Sequence, residues 1–256
     1  MKKRRQSRSS WQGVSKWYDK TVGKDGHYYH REVILPRLLP LLEVKNPQKC
    51  CLIDFACGQG ILERHISKET GYHGIDVSKD LIRSAKKHSM CPSHTFSVAD
   101  ISKPLKLPQK YTHATILLAL QNIENFEGVI QNASRALEKN GRFFIVLNHP
   151  CFRIPRQSSW HVQEKSNEQV RQIHRYMTPL EIPIQMHPSK REASEKTFSY
   201  HRPLSLYITA LAKAGFVVDG MEEWVSNKKS TGGQAKRENR ARKEIPLFLT
   251  LCARKS

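Results

Sequence analysis

No window of the chain approaches about 18 uninterrupted apolar residues, so no membrane span is expected. No apolar run follows the opening Met-Lys-Lys-Arg-Arg, so a secretory signal is not expected either. Cysteines are few. Cys50, Cys51, Cys57, Cys91, Cys151 and Cys252 form no C-x-x-C pair, which argues against a zinc site or a disulfide frame. Free thiols, a reducing compartment and a cytoplasmic location are the expectation, with no metal. Apolar residues make up only 38%, but they are clustered, and 256 residues suffice for one α/β core. Acidic residues are scarce as well, 23 against 43 basic ones, giving a net charge of +20.

The excess positive charge is concentrated. Residues 1–10 carry Lys2, Lys3, Arg4, Arg5 and Arg8 with no acid, and read as a disordered basic arm. Residues 228–243 carry seven cations and one acid, and 226–243 read as a basic loop. Such stretches attract nucleic acid, acidic headgroups or anionic substrates, or are simply solvated. The remaining body, 11–256, is expected to be one catalytic domain.

Along that body the apolar pattern alternates between short runs and helical spacing. Val33 to Leu42 has helical spacing despite Pro36 and Pro40. Strands are expected at 50–55, 72–76, 95–98, 113–118 and 143–147, with helices at 61–67, 78–88 and 126–138 between them. Asn140-Gly141 reads as a helix stop. Residues 148–202 break the rhythm with five prolines and are expected to be an insertion or lid. A helix at 204–214 and strands at 216–225 and 245–253 follow. Strands alternating with helices predict a doubly wound, mostly parallel α/β sheet.

The sharpest chemical signal is Asp54-Phe55-Ala56-Cys57-Gly58-Gln59-Gly60. A buried strand delivers the chain to a turn whose glycines allow close approach of backbone to ligand, and the N–H groups of a following helix would face that ligand. Asp76 ends the second strand, where a carboxylate can accept both hydroxyls of a ribose. Asp100 ends the third, where a carboxylate can accept an adenine amine. A dinucleotide site of the G-x-G-x-x-G type would need glycine at 63, which is Glu63.

Leu52 to Gly60 resembles the first motif of class I S-adenosylmethionine (SAM)-dependent methyltransferases. Gly74-Ile75-Asp76-Val77-Ser78 resembles their second, and Val98-Ala99-Asp100 their adenine-contacting segment. Leu118-Ala119-Leu120-Gln121-Asn122-Ile123 resembles the fourth-strand exit of the small-molecule group that includes quinone-precursor methylases. The likeness covers 50–147 and, as a terminal helix and hairpin, 204–253. It implies a Rossmann-like, seven-stranded sheet with the last strand antiparallel and S-adenosyl-L-methionine as cofactor. It further implies cofactor contacts at Ala56, Gly58, Gly60, Asp76, Asp100 and Leu118, with Asp54, Cys57, Val77 and Ile101 beside them. The sequence departs from the family at Ala56, where a glycine is usual, and at His113, where an acid is usual.

Because SAM is already an activated electrophile, an enzyme mainly aligns the acceptor and excludes water, adding a base where the nucleophile carries a proton. His149, directly after the fifth strand, is the candidate base, or else a turn histidine bonded to backbone. Tyr18, Tyr29, His30, Gln121 and Arg153 are candidate acceptor-binding residues. The exit Gln121-Asn122 is unlike the Asn-Pro-Pro-aromatic motif of adenine-N6 methylases. The expected partner is a small-molecule acceptor. The alternatives are RNA or a ribosome met through the basic tails, and SAM binding without catalysis.

Overall fold

The structure is a computed structural model that describes residues 23, 26–42, 44, 46–185 and 196–256. The basic arm at 1–10 and Tyr18 lie outside the described residues. A π-helical turn, His30–Ile34, runs into α1, Leu35–Leu41. Then come β1 (Cys51–Phe55), β2 (Gly71–Asp76), α2 (Lys79–His88), β3 (Thr95–Val98), β4 (Tyr111–Leu117), α3 (Phe126–Ala136) and β5 (Leu137–Asn148). Hairpins β6 (Ser158–Gln163) with β7 (Glu168–Ile173) and β8 (Leu180–Gln185) with β9 (Lys196–His201) follow. The chain closes with α4 (Leu204–Lys213), β10 (Phe216–Trp224), α5 (Ala235–Glu244) and β11 (Phe248–Lys255).

Seven strands form one sheet in the order β10-β11-β5-β4-β1-β2-β3. β3, β2, β1, β4 and β5 pair in parallel, and β11 is antiparallel to both of its neighbours. The expected α/β architecture is therefore present. The alternation of side chains across a strand feeds two apolar layers. On β5, Phe143, Ile145 and Leu147 join one layer with Val129, Ile130 and Ala133 of α3 and Leu211 of α4. Phe144 and Val146 join the other, with Leu35 and Leu38 of α1 and Ile82 and Ala85 of α2. Each fully buried side chain of this kind contributes roughly 1.5–3 kcal/mol. The chain steps outward from β1 to β3 and then crosses back to β4. That reversal opens a crevice at the carboxyl ends of β1 and β4, where such sheets bind ligands.

Four local expectations need correction. First, the segment after Gly60 is not a helix over 61–67 but a series of turns with one 3-10 turn, Glu63–His65. Side chains take carbonyls that a helix would use: His65 Nδ1 lies 2.9 Å from the Ile61 oxygen, and Arg64 donates to the Gln59 oxygen at 2.7 Å. Glu63 is drawn inward, accepting from Ser89, Met90 and His94. Second, β5 begins at Leu137, which already pairs with Tyr111. Asn140-Gly141 make an irregularity within the strand, with Asn140 at φ +65°. Third, the basic loop 226–243 contains helix α5, whose Glu238–Arg242 pair at 3.3 Å spans one turn. Fourth, the 148–202 segment holds two hairpins. β6 and β7 are largely exposed and β9 is largely buried, so neither hairpin shows the alternation that marks a half-buried strand.

Candidate cofactor and acceptor site

The turn after β1 carries Ala56, Gly58 and Gly60 at φ +55°, +56° and +77°. Glycine adopts this left-handed region freely, whereas an alanine there is strained. Leu118, at the exit of β4, sits at φ +53°, so both strands that flank the switch point end in a left-handed non-glycine residue. Strain at such places is usually held by surrounding bonds. Here the N–H of Leu118 donates to the Val146 oxygen at 2.8 Å, and the N–H of Cys57 donates to the Ile75 oxygen at 3.0 Å. Gly74 faces the turn from β2. A Cβ on Gly74 would lie 2.8 Å from Cys57 Sγ and 2.9 Å from Phe96 Cδ1, so a bare backbone is required.

Asp76 is buried at the tip of β2. Its Oδ2 accepts the N–H of Gly58 at 3.0 Å and its Oδ1 the N–H of Ser78 at 2.8 Å. Burial raises its pKa against these hydrogen bonds. The Val77 N–H also bonds to the carboxylate, and with two acceptor positions on each oxygen one remains for a ligand hydroxyl. Asp100 follows β3 and is half-exposed. Its Oδ1 takes both the N–H and the hydroxyl of Ser102, while Oδ2 meets Lys103 at 2.7 Å. Burial pushes its pKa up, but Lys103 and Ser102 outweigh that and hold it below the usual range. One position on Oδ2 stays open. Val77 is exposed between the two acids and Ile101 is buried beyond them.

Asp54 has a different place from the one expected. Tyr72 OH donates to its Oδ2 at 2.8 Å and Thr115 to its Oδ1 at 2.7 Å, beneath the turn. Burial lifts its pKa to about 7. It braces the tips of β1, β2 and β4 from below. Asn132 of α3 was not singled out from the sequence. It donates to the oxygens of Ile101 and Lys103 and accepts the N–H of Leu105, fixing the loop that carries Asp100. Its signal was hidden, because a buried asparagine inside an amphipathic helix looks like one more polar residue. Gln59 was missed for a similar reason. It is buried, and its Nε2 holds the Gly23 oxygen at 2.9 Å, tying the N-terminal segment across the turn.

The acceptor candidates sit on separate elements: Gln121 at the β4 exit, Tyr29 and His30 in the N-terminal helical turn, and Arg153 after β5. Gln121 is buried in the 3-10 turn Leu120–Asn122. Its Nε2 donates to the Leu118 oxygen at 2.7 Å, and its Oε1 is buried with no partner. Tyr29 packs its ring edge-on against Phe248, with its hydroxyl 3.3 Å from Ser226 and Lys228 5.0 Å from the ring centre. His30 is desolvated, with its pKa pushed down to about 4 by burial and by His27. Its Nδ1 is buried without a partner. Arg153 follows β5 and is electrostatically coupled to Tyr29.

His149 is buried at the end of β5 with both ring nitrogens occupied. The N–H of Cys151 donates to Nδ1 at 3.2 Å, so Nε2 carries the proton and donates to Glu223 at 2.7 Å. Burial lowers its pKa and Glu223 raises it, with burial prevailing. The geometry leaves no ring nitrogen to take an acceptor's proton, and the ring instead fixes the turn that follows. Glu223, exposed on β10, gave no sequence signal, because its partner lies 74 residues away. Arg202, at the end of β9, is buried. It donates to the oxygens of Ile123 and Glu124 at 2.9 and 2.6 Å and lies 4.3 Å from the centre of the Phe126 ring. It thereby clamps the fourth-strand exit to the second hairpin.

A glycine turn, two carboxylates on neighbouring strand tips and a switch-point crevice define a nucleoside-binding class of α/β protein. Comparison with known proteins makes this specific. The family described as "Methyltransferase domain" matches residues 26–218, and the chain belongs to it. It is similar over 84% of its length to an S-adenosylmethionine-dependent methyltransferase from Mesorhizobium loti. That similarity covers 96% of the other chain, at 25% identity and a TM-score of 0.64. A similar protein from Listeria monocytogenes matches 85% of this chain and 97% of its own, at 21% identity and a TM-score of 0.65. A glycopeptide N-methyltransferase complexed with S-adenosyl-L-methionine shares the fold over 85% of this chain and 92% of its own, at 13% identity and a TM-score of 0.54. No curated protein matches. The cofactor is S-adenosyl-L-methionine. Among the described residues, no helix is long and apolar enough to cross a membrane, and no group of three or more His, Cys, Asp or Glu could hold a metal.

Proposed function

We propose that the chain transfers a methyl group from SAM to a small-molecule acceptor. The observation that carries this reading is the fourth-strand exit. Beside it, Gln59 holds the Gly23 oxygen at the cofactor turn and Tyr29 packs against Phe248 at the end of β5 and β11. The exit at Leu118–Ile123 resembles that of small-molecule methylases and leaves Gln121 Oε1 unpartnered, a buried acceptor for an O–H or N–H group.

The residues fit the cofactor. Asp76 takes the ribose hydroxyls, Asp100 the adenine amine, and the bare backbone at Gly58 and Gly60 admits the rest, with Ala56, Cys57, Val77, Ile101 and Leu118 shaping the walls. Bound SAM supplies a methyl on a sulfonium, so no further activation of the donor is needed. The protein orients the acceptor through Gln121 and Tyr29. His149 holds the β5 exit in place and takes no proton in this reading.

Two measurements test it. Asp76→Ala is expected to weaken binding of S-adenosylhomocysteine at least tenfold, because charge-assisted bonds to the ribose are lost. Unchanged affinity in calorimetry would remove Asp76 from the cofactor site. Labelled SAM incubated with a cell extract split into RNA, protein and small-molecule fractions should place the label in the last.

The competing acceptor is RNA, favoured by exposed Lys236, Arg240 and Lys243 on α5. Much of that helix's charge is already engaged, since Arg240 pairs with Glu168 and Arg242 with Glu238. Label in the RNA fraction, lost steeply with added salt, would reverse the choice.

A further inference from the structure

Three cations stand on the acceptor side of the crevice. The N–H groups of Phe152 and Arg153 both donate to the His149 oxygen, at 3.2 and 2.7 Å, so Arg153 projects from a tight turn at the carboxyl end of β5. Ile154, buried beside it, anchors that turn. Arg171 reaches the same turn from β7. Its Nε donates to the Phe152 oxygen at 2.8 Å, its Nη2 to Ser158 at 2.6 Å, and its guanidinium lies 5.2 Å from the centre of the Trp160 ring. Lys228 stands over the rings of Tyr28 and Tyr29.

The two arginines sense one another. Arg171 is depressed by burial and by the charge of Arg153, and Arg153 is depressed by burial although Tyr29 pulls the other way. Arg153 is exposed, so its guanidinium is open to an incoming ligand and is not packed inside the core. Among the described residues, none of these three cations forms an ion pair. Glu223 lies in the same region, but its Oε1 is bonded to His149. Arg171 is held by three contacts, while Arg153 donates no side-chain hydrogen bond to any described residue. Like charges kept together disfavour each other until an anion joins them. The free guanidinium fork of Arg153, with Nη1 of Arg171 beyond its bonds to Phe152 and Ser158, matches the oxygens of a carboxylate or phosphate.

Resting on the methyltransferase reading above, we propose that Arg153 and Arg171, beside Tyr29, bind an anionic oxygen group, carboxylate or phosphate, of the methyl acceptor. The polarity of the crevice supports it. Asp76 and Asp100 stand at the tips of β2 and β3, and Arg153 stands across the sheet at the exit of β5. A cationic acceptor site beside a sulfonium would repel the donor, and an acceptor anion relieves that repulsion while anchoring the substrate.

The test is calorimetry on the full chain saturated with S-adenosylhomocysteine, titrated with benzoate and with inorganic phosphate. The wild type is expected to bind at least one of them, with an affinity that falls as sodium chloride is raised. Preference for benzoate assigns a carboxylate and preference for phosphate a phosphoryl group. Arg153→Gln and Arg171→Gln should each weaken that anion at least tenfold and leave the affinity for S-adenosylhomocysteine within twofold. Arg153→Lys should recover part of the loss, because charge returns without the fork. No anion bound by the wild type, or an unchanged affinity in Arg153→Gln, overturns the proposal. A parallel loss of S-adenosylhomocysteine affinity in Arg153→Gln also overturns it, since Arg153 would then hold the cofactor's own carboxylate. If the wild type binds no S-adenosylhomocysteine at all, the methyltransferase reading fails instead.

Discussion

The two halves of the crevice are built by different means. On the β1–β3 side, short turns and acids sit directly on strand tips and are fixed mainly by backbone N–H groups of the neighbouring turns. Asp76 bonds to Gly58 and Ser78, and Asp100 bonds to Ser102. On the β4–β5 side the groups come from sequence positions far apart. Tyr29 meets Ser226, His149 meets Glu223, and Arg202 meets Ile123. The first half is a local device that any chain with the right motif can make. The second exists only when the hairpins, β10 and the N-terminal segment have all docked. Cofactor binding can therefore be shared across a family while the acceptor side differs from member to member.

If this division is real, perturbations should respect it. The largest effect is expected for Arg202→Met. It orphans two carbonyls and removes a cation from the Phe126 and Tyr200 rings, at a cost of about 3 kcal/mol in denaturant unfolding. Affinity for S-adenosylhomocysteine should stay within a few-fold, and an equal loss there would show the halves to be one unit. Gly74→Ala is the mirror experiment. Its methyl would press on Cys57 and Phe96, costing about 2 kcal/mol and loosening the cofactor turn. Cofactor affinity should fall while benzoate or phosphate binding, measured without cofactor, stays the same.

The smallest effect concerns pH. His30 is held neutral, with its pKa lowered from 6.5 to about 4. The unfolded chain binds the extra proton between those values. Stability is thus full above about pH 6.5 and declines as pH falls toward 4. His30→Phe should flatten the decline in Tm over that window, and an unchanged slope would remove His30 as its source.

The same division explains what the sequence disclosed. β1 to β4, the cap of α2 at Ser78 and the acids at 76 and 100 were legible because local pattern and turn chemistry set them. The segment after Gly60 was not, because its helical spacing was overridden by side chains of Arg64 and His65 taking backbone carbonyls. Helix α5 was hidden by having no apolar face. The hairpin at 158–173 was hidden because its strands are exposed, and the one at 180–201 because β9 buries the successive residues Ser199, Tyr200 and His201, so neither alternates. His149 was located correctly beside the β5 exit. Its bonding was only half legible: the Cys151 N–H engages it within one turn, but the Glu223 carboxylate arrives from β10 by tertiary placement. The left-handed conformation of Leu118 gave no warning either, since leucine is an unlikely residue for it.

The guanidinium at the end of β9 has a practical consequence for redesign. A protein engineer who wished to exchange residues 148–202 for the corresponding stretch of a relative would be cutting a joint. The grafted piece would have to bring its own equivalent of Arg202, aimed at the carbonyls of Ile123 and Glu124. Without it, the borrowed hairpins would arrive with their specificity intact and leave the scaffold's fourth-strand exit unsupported.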